Sequence, residues 1–93
     1  MFVGMLEVEL WLPEAQSLKD KRSVLKSLKD QLRERFNIAI AEVDPSVKWQ
    51  RAAFGVATVG HDRQSVDQCL QYVVEWVRGH RLVEVIRVER EIL

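Results

Sequence analysis

Between Ser17 and Phe36 the apolar residues Leu18, Leu25, Leu28, Leu32 and Phe36 recur at a spacing that gathers them on one face of an α-helix. A helix with a single apolar stripe is incomplete by itself, so the rest of the chain must supply a layer to cover it. Lys19, Arg22, Lys26, Lys29 and Arg33 follow at alternating steps of three and four, filling an arc of roughly 80° beside that stripe. Asp20, Asp30 and Glu34 fall further round, so charge is partly sorted by sign on one element. Ser17 with Asp20 resembles a capping box in which Asp replaces the usual Glu or Gln, and Pro13 keeps the helix from starting earlier.

The covering layer is legible as strands. From Phe2 to Leu12 the even positions Phe2, Leu6, Val8, Leu10 and Leu12 are apolar, while Glu7 and Glu9 alternate with them, as in a half-buried strand. Asn37 can close the helix, and Ile38, Ile40 and their neighbours to Asp44 form a second, short strand. A turn at Asp44, Pro45 and Ser46 leads to a third strand from about Trp49 to Val59. Asp62 is the expected N-cap of a second helix that reaches about Arg78 and stops at Gly79, burying Val66, Cys69, Leu70, Val73 and Val77. In the last strand, Leu82 to Leu93, the apolar phase slips between Val85 and Ile86, which a bulge would reconcile.

The order strand, helix, strand, strand, helix, strand, with right-handed crossovers, leads to an α+β fold of the ferredoxin-like βαββαβ type. Its four-stranded antiparallel sheet has the first and third strands in the centre and both helices on one face. The other face is left open, and its central positions are Glu7, Glu9, Ala53 and Gly55. Domains of this topology that read RNA stack bases on aromatic residues there; carboxylates repel phosphate instead. Met5, Trp11, Trp49 and Ala53 are therefore expected to form a protein interface, a homodimer or another partner contact.

At 93 residues the chain suits one domain spanning its whole length. Fourteen basic and fourteen acidic side chains cancel, so attraction to a polyanion must come from a patch rather than from the whole molecule. Cys69 is alone, which excludes an internal disulfide and favours a reducing, cytoplasmic compartment. No stretch has the length of a membrane span and none has the pattern of a signal peptide.

Signals for catalysis are weak, and neither a cofactor nor a metal site is expected. His61 and His80 are the two imidazoles, and no spacing of His, Cys, Asp and Glu matches a zinc or calcium site. His61 beside Asp62 could polarise an anion at a helix start, but a loop residue preceding a cap explains it more simply. The pairs Glu7 with Glu9, Glu42 with Asp44 and Glu89 with Glu91 share strand faces, as solvated carboxylates commonly do. Cys69 reads as an inert core thiol.

The runs SLKDKRSVLKSLKDQLRERFNIAIAEVD from Ser17 to Asp44 and WQRAAFGVATVG from Trp49 to Gly60, with DR at Asp62 and Arg63 and the closing EREIL, resemble the YlxP-like family of small bacterial proteins. That family is a domain of unknown function, and the similarity extends over essentially the whole chain. The resemblance implies a bacterial, cytoplasmic protein with a ferredoxin-like fold and brings no catalytic residues. Members are often encoded near transcription and translation genes, which implies, by association, a role around RNA or the ribosome. Within the family SLKDKR contributes Lys19, Lys21 and Arg22, and WQRA contributes Trp49, Gln50 and Arg51.

Two functions follow as expectations. A binding domain without catalysis would contact RNA or a ribosomal surface through Lys19, Arg22, Lys26, Lys29 and Arg33, with Arg51 added. Alternatively, a structural domain would pair through its open sheet face. The plain alternative for the cation row is a solvated surface whose methylene stems cover apolar edges.

Overall fold

The computed structural model describes residues 1–44 and 48–93. Its elements run β1 (Phe2–Trp11), α1 (Leu18–Arg35), β2 (Ala39–Glu42), β3 (Arg51–Gly60), α2 (Arg63–Arg78) and β4 (Glu84–Ile92). The sheet order is β2-β3-β1-β4 with every neighbouring pair antiparallel, so β1 and β3 are central. This is the expected ferredoxin-like arrangement. Of the turn expected at Asp44, Pro45 and Ser46, only Asp44 falls within the described residues.

The alternation of β1 decides which way the sheet faces. Leu6, Val8 and Leu10 are buried and share one core with Leu25, Leu28 and Leu32 of α1 and with Leu70, Val73, Val74 and Val77 of α2. Both helices therefore cover the even face of β1. Each fully buried Leu or Val there contributes about 1.5–3 kcal/mol relative to an exposed one. Gly4 lies where α2 comes close to the sheet: a Cβ there would meet Val66 Cγ1 at 2.6 Å and Leu70 Cδ1 at 3.0 Å.

Local signals end each helix. Ser17 Oγ accepts from the Asp20 N–H at 3.0 Å, while Asp20 Oδ2 accepts from the Gln16 N–H at 3.0 Å, a capping box shifted outward by one residue. Asp62 caps α2 by accepting from the N–H groups of Gln64 and Ser65. The Ser65 hydroxyl, and after it the Gln64 N–H, hold the Asp62 carboxyl below the usual carboxylate range. Between β1 and β4, Glu9 pairs with Arg87 but Leu10 pairs with Val85, so Ile86 is the extra residue of a bulge and is exposed.

Three burial assignments differ from the sequence reading. Cys69 is half-buried rather than in the core, because it lies on the flank of the α2 stripe while Val74 takes a buried place. Leu18 and Phe36, expected in the buried stripe of α1, are also half-buried; the first buried side chain of that helix is Lys21.

Candidate nucleic-acid interface

Lys21 is 3% exposed and stands at i−4 from Leu25 and i−7 from Leu28, at the N-terminal end of the buried stripe. A buried ammonium needs partners. Its Nζ donates to the Lys48 carbonyl at 2.9 Å and lies 3.9 Å from Glu42 Oε1. This bond joins the start of α1 to the segment that precedes β3. The same segment is fastened to the end of β1: the Leu12 N–H donates to the Gln50 carbonyl at 2.9 Å, and Gln50 Nε2 donates to the Pro13 carbonyl at 3.1 Å. Through Lys21 the SLKDKR segment thus reaches the residue that immediately precedes WQRA, a proximity the sequence left open.

The consequence is a cluster at one end of the domain. Trp11, Lys48, Trp49, Gln50 and Arg51 line one shallow concavity. Trp49 is 51% exposed and Trp11 38%, although rings of this size normally find cover. Arg51 Nη1 donates to Glu9 Oε1 at 3.1 Å, so its guanidinium is partly neutralised.

The cation row of α1 is exposed at Lys19, Arg22, Lys26 and Arg33 and half-buried at Lys29, the member nearest the apolar stripe. It is also more tied down than its spacing implied. Lys26 Nζ donates to Asp30 Oδ2 at 2.9 Å, and Arg33 Nη1 stands 3.9 Å from Asp30 Oδ1. The Lys26 ammonium, with Arg33 and Lys29 nearby, holds the Asp30 carboxyl below its ordinary range. Arg33 Nη2 donates to the Ile40 carbonyl at 3.0 Å, which fixes the end of α1 to β2. Lys19 and Arg22 share the first turns of α1 with Lys21 but stand about 160° and 100° round the helix axis from it, exposed to solvent rather than directed at Lys48.

The six expected nucleic-acid contacts are therefore divided. Five lie on α1, and Arg51 lies across the sheet, on the open face, at the tryptophan end. The expected interface set divides too. Trp11 and Trp49 belong to the end cluster, whereas Met5, six residues from Trp11 along β1, lines a separate concavity on the open face. Ala53 is 5% exposed, opposite Glu9 and hydrogen-bonded through its carbonyl to the Val43 N–H, so it has little area to offer a partner.

The imidazoles lie elsewhere. His61 is exposed beside the cap of α2. His80 Nδ1 accepts from the Leu82 N–H at 3.2 Å, and its ring lies 5.9 Å from that of Trp76, over which Arg35 is placed at 5.5 Å. Burial, and secondarily the Arg81 charge, push the His80 imidazole below its ordinary pKa. Among the described residues no three His, Cys, Asp or Glu side chains converge as metal ligands would, and no helix is long and apolar enough to cross a membrane.

Residues 3–90 match the family model described as "Protein of unknown function (DUF503)". The chain is 36% identical over 82 residues to "Uncharacterized protein YlxP" of Bacillus subtilis (strain 168), covering 88% of this chain and 89% of that protein. Among solved structures, the de novo designed protein Ferredog-Diesel aligns with a TM-score of 0.43 at 17% identity, over 94% of this chain and 83% of that one. By the extent of the family match and the identity to YlxP, the chain belongs to the DUF503 family of proteins of unknown function.

Proposed function

We propose that this protein is an RNA-binding domain without catalytic chemistry, holding phosphates on the cations of α1 and an unpaired base at the tryptophan end. The observation that supports this reading is the bond from Lys21 to the Lys48 carbonyl, which fastens the segment bearing exposed Trp49 to the first turns of α1, where the cation row begins with Lys19 and Arg22. Seven of the chain's fourteen basic residues lie in α1. A neutral protein so arranged attracts a polyanion at one surface while the rest stays indifferent. Phosphate contacts supply affinity, and an aromatic ring adds about 1–3 kcal/mol for each stacked base without needing a particular sequence. The acidic open face explains why stacking would move to the end of the sheet rather than occupy its middle.

The test is fluorescence anisotropy with a labelled RNA hairpin carrying a single-stranded overhang, at two salt concentrations. The expected result is binding that weakens steeply with salt, falls about tenfold or more in a Lys19→Glu, Arg22→Glu, Lys26→Glu variant, and falls several-fold in Trp49→Ala. Absence of binding at low salt, or an affinity indifferent to both variants, would return the cation row to a solvated surface.

A further inference from the structure

The open face of the sheet has two chemically distinct halves. Register aligns Ala39 with Ala57 and Met5, and Ala41 with Gly55 and Glu7, so the β2–β3 half is floored by small side chains. Val43, half-exposed, stands over Gly55: a Cβ on that glycine would come within 2.7 Å of Val43 Cγ1. On the β1–β4 half, Met5 lies opposite Glu91, Glu7 opposite Glu89, and Glu9 opposite Arg87. Between the halves runs an apolar trough of about 570 Å³, with Glu7, Glu89 and Glu91 along one side.

We propose that this trough is a docking site for a basic amphipathic helix of a partner protein, its apolar stripe on Ala41, Gly55 and Ala57 and its Lys or Arg side chains toward Glu7, Glu89 and Glu91. Size supports a helix. The floor spans β2, β3 and β1, two strand spacings or about 10 Å, which matches the diameter of a helix with its side chains. Charge supports a basic one. Arg51 pairs with Glu9 and Arg87 with Glu89, whereas among the described residues neither Glu7 nor Glu91 has an ion-pair partner, and each faces an acidic or apolar neighbour across the strands. Like charges directly opposite one another, as Glu7 and Glu89 are, are mildly unfavourable in the free protein, and a cation between them would relieve that.

A second copy meets these requirements poorly. Counting Glu84 opposite Trp11, the open face carries five carboxylates against the guanidinium groups of Arg51 and Arg87. Self-pairing would double that excess inside one interface, and like-charge juxtaposition works against such a contact. The site lies on the opposite side of the sheet from α1, so it goes beyond the RNA reading and can succeed or fail without it.

The test uses two labelled synthetic helices of about 18 residues with the same leucine stripe, one with lysine and one with glutamate at the flanking positions, titrated against the full chain by anisotropy. The expected result is that the lysine peptide binds and the glutamate peptide does not. Binding should weaken about tenfold in Glu7→Gln, Glu91→Gln and in Ala41→Gln, Ala57→Gln, and stay unchanged in the control Glu14→Gln, Glu34→Gln. The Lys19→Glu, Arg22→Glu, Lys26→Glu variant, which tests RNA binding, should retain the peptide. Equal binding of both peptides, loss of binding in the control variant, or no binding of either would overturn the proposal. So would a dimer in sedimentation at tens of micromolar that the Ala41→Gln, Ala57→Gln variant abolishes, because the occupant would then be a second copy.

Discussion

Replacing Lys21 by methionine separates the two things this side chain does. Met keeps the unbranched stem that packs within the stripe of Leu25 and Leu28, and its helix propensity matches that of Lys, so the ammonium is the main loss. The lost bond to the Lys48 carbonyl is charge-assisted, a class that contributes about 1.5–3 kcal/mol. Two effects reduce that figure. The ammonium no longer has to be desolvated, and Lys48 and Glu42 are near enough to solvent for water to replace part of what is lost. The expected net cost is about 1–2 kcal/mol, or a Tm lower by about 4–16 °C for a chain of this size. Lys21→Ala also removes three buried methylene groups, adding about 2 kcal/mol or more.

Urea denaturation of the three proteins gives these differences, and hydrogen exchange locates them. The Leu12 N–H, bonded to the Gln50 carbonyl, should exchange faster in Lys21→Met while amides of α2 follow the global change. A methionine variant as stable as the native chain, or more so, would refute the reasoning. Apolar replacement of buried ionic groups does have that outcome in some proteins, and it would mean that packing alone fastens the 48–51 segment.

Glycines give opposed expectations. Gly4→Ala drives a methyl group against Val66 and Leu70 under α2 and should cost about 1–3 kcal/mol in urea denaturation, with part recovered in a Gly4→Ala, Val66→Ala double variant. Gly55→Ala meets one exposed Val43 methyl that can turn away, and by relieving glycine in a strand it should leave stability unchanged or raise it slightly. Because the folded protein lowers the His80 pKa, His80 contributes stability at pH values above its ordinary value of 6.5, and that contribution is lost as pH falls through the lowered value. Thermal melts between about pH 8 and pH 5 should therefore show a steeper decline for the native chain than for His80→Gln. Asp62→Ala removes the cap of α2, and the amides of Gln64 and Ser65 should lose their exchange protection first.

The fold was legible because periodicity reports which side of an element is covered. The phase slip between Val85 and Ile86 even located the bulge, since one extra residue reverses the alternation. Lys21 was missed although its place was readable: it sits at helical spacing from Leu25 and Leu28, and only its residue type argued against burial. Its partner was not readable, because Lys48 is 27 residues away and a carbonyl bond leaves no mark on side-chain identity. The coupling of Asp30 to Lys26 was readable as an i, i+4 pair, but counting cations alone overstated the free charge of α1. The trough depended on register, which places Ala41 beside Gly55 and puts Glu7 on the far side of that glycine.

A net charge of zero conceals a separation by layer. α1 carries seven cations and three acids on one side of the sheet, and the open face carries five carboxylates and two guanidinium groups on the other. Such a molecule could in principle stack head to tail, the α1 of one copy on the sheet of the next. It lacks the means to hold that contact. The apolar stripe of α1 is already buried in its own core, so a stacked copy could offer only exposed ion pairs, each contributing about 0–1 kcal/mol and screened by salt. A foreign helix with both cations and an uncovered apolar stripe has what α1 lacks, and the trough is lined to distinguish the two. Sedimentation at low salt, where stacking would be strongest, should therefore find a monomer; association that grew as salt was lowered and vanished on reversing Lys19, Arg22 and Lys26 would show that charge alone suffices.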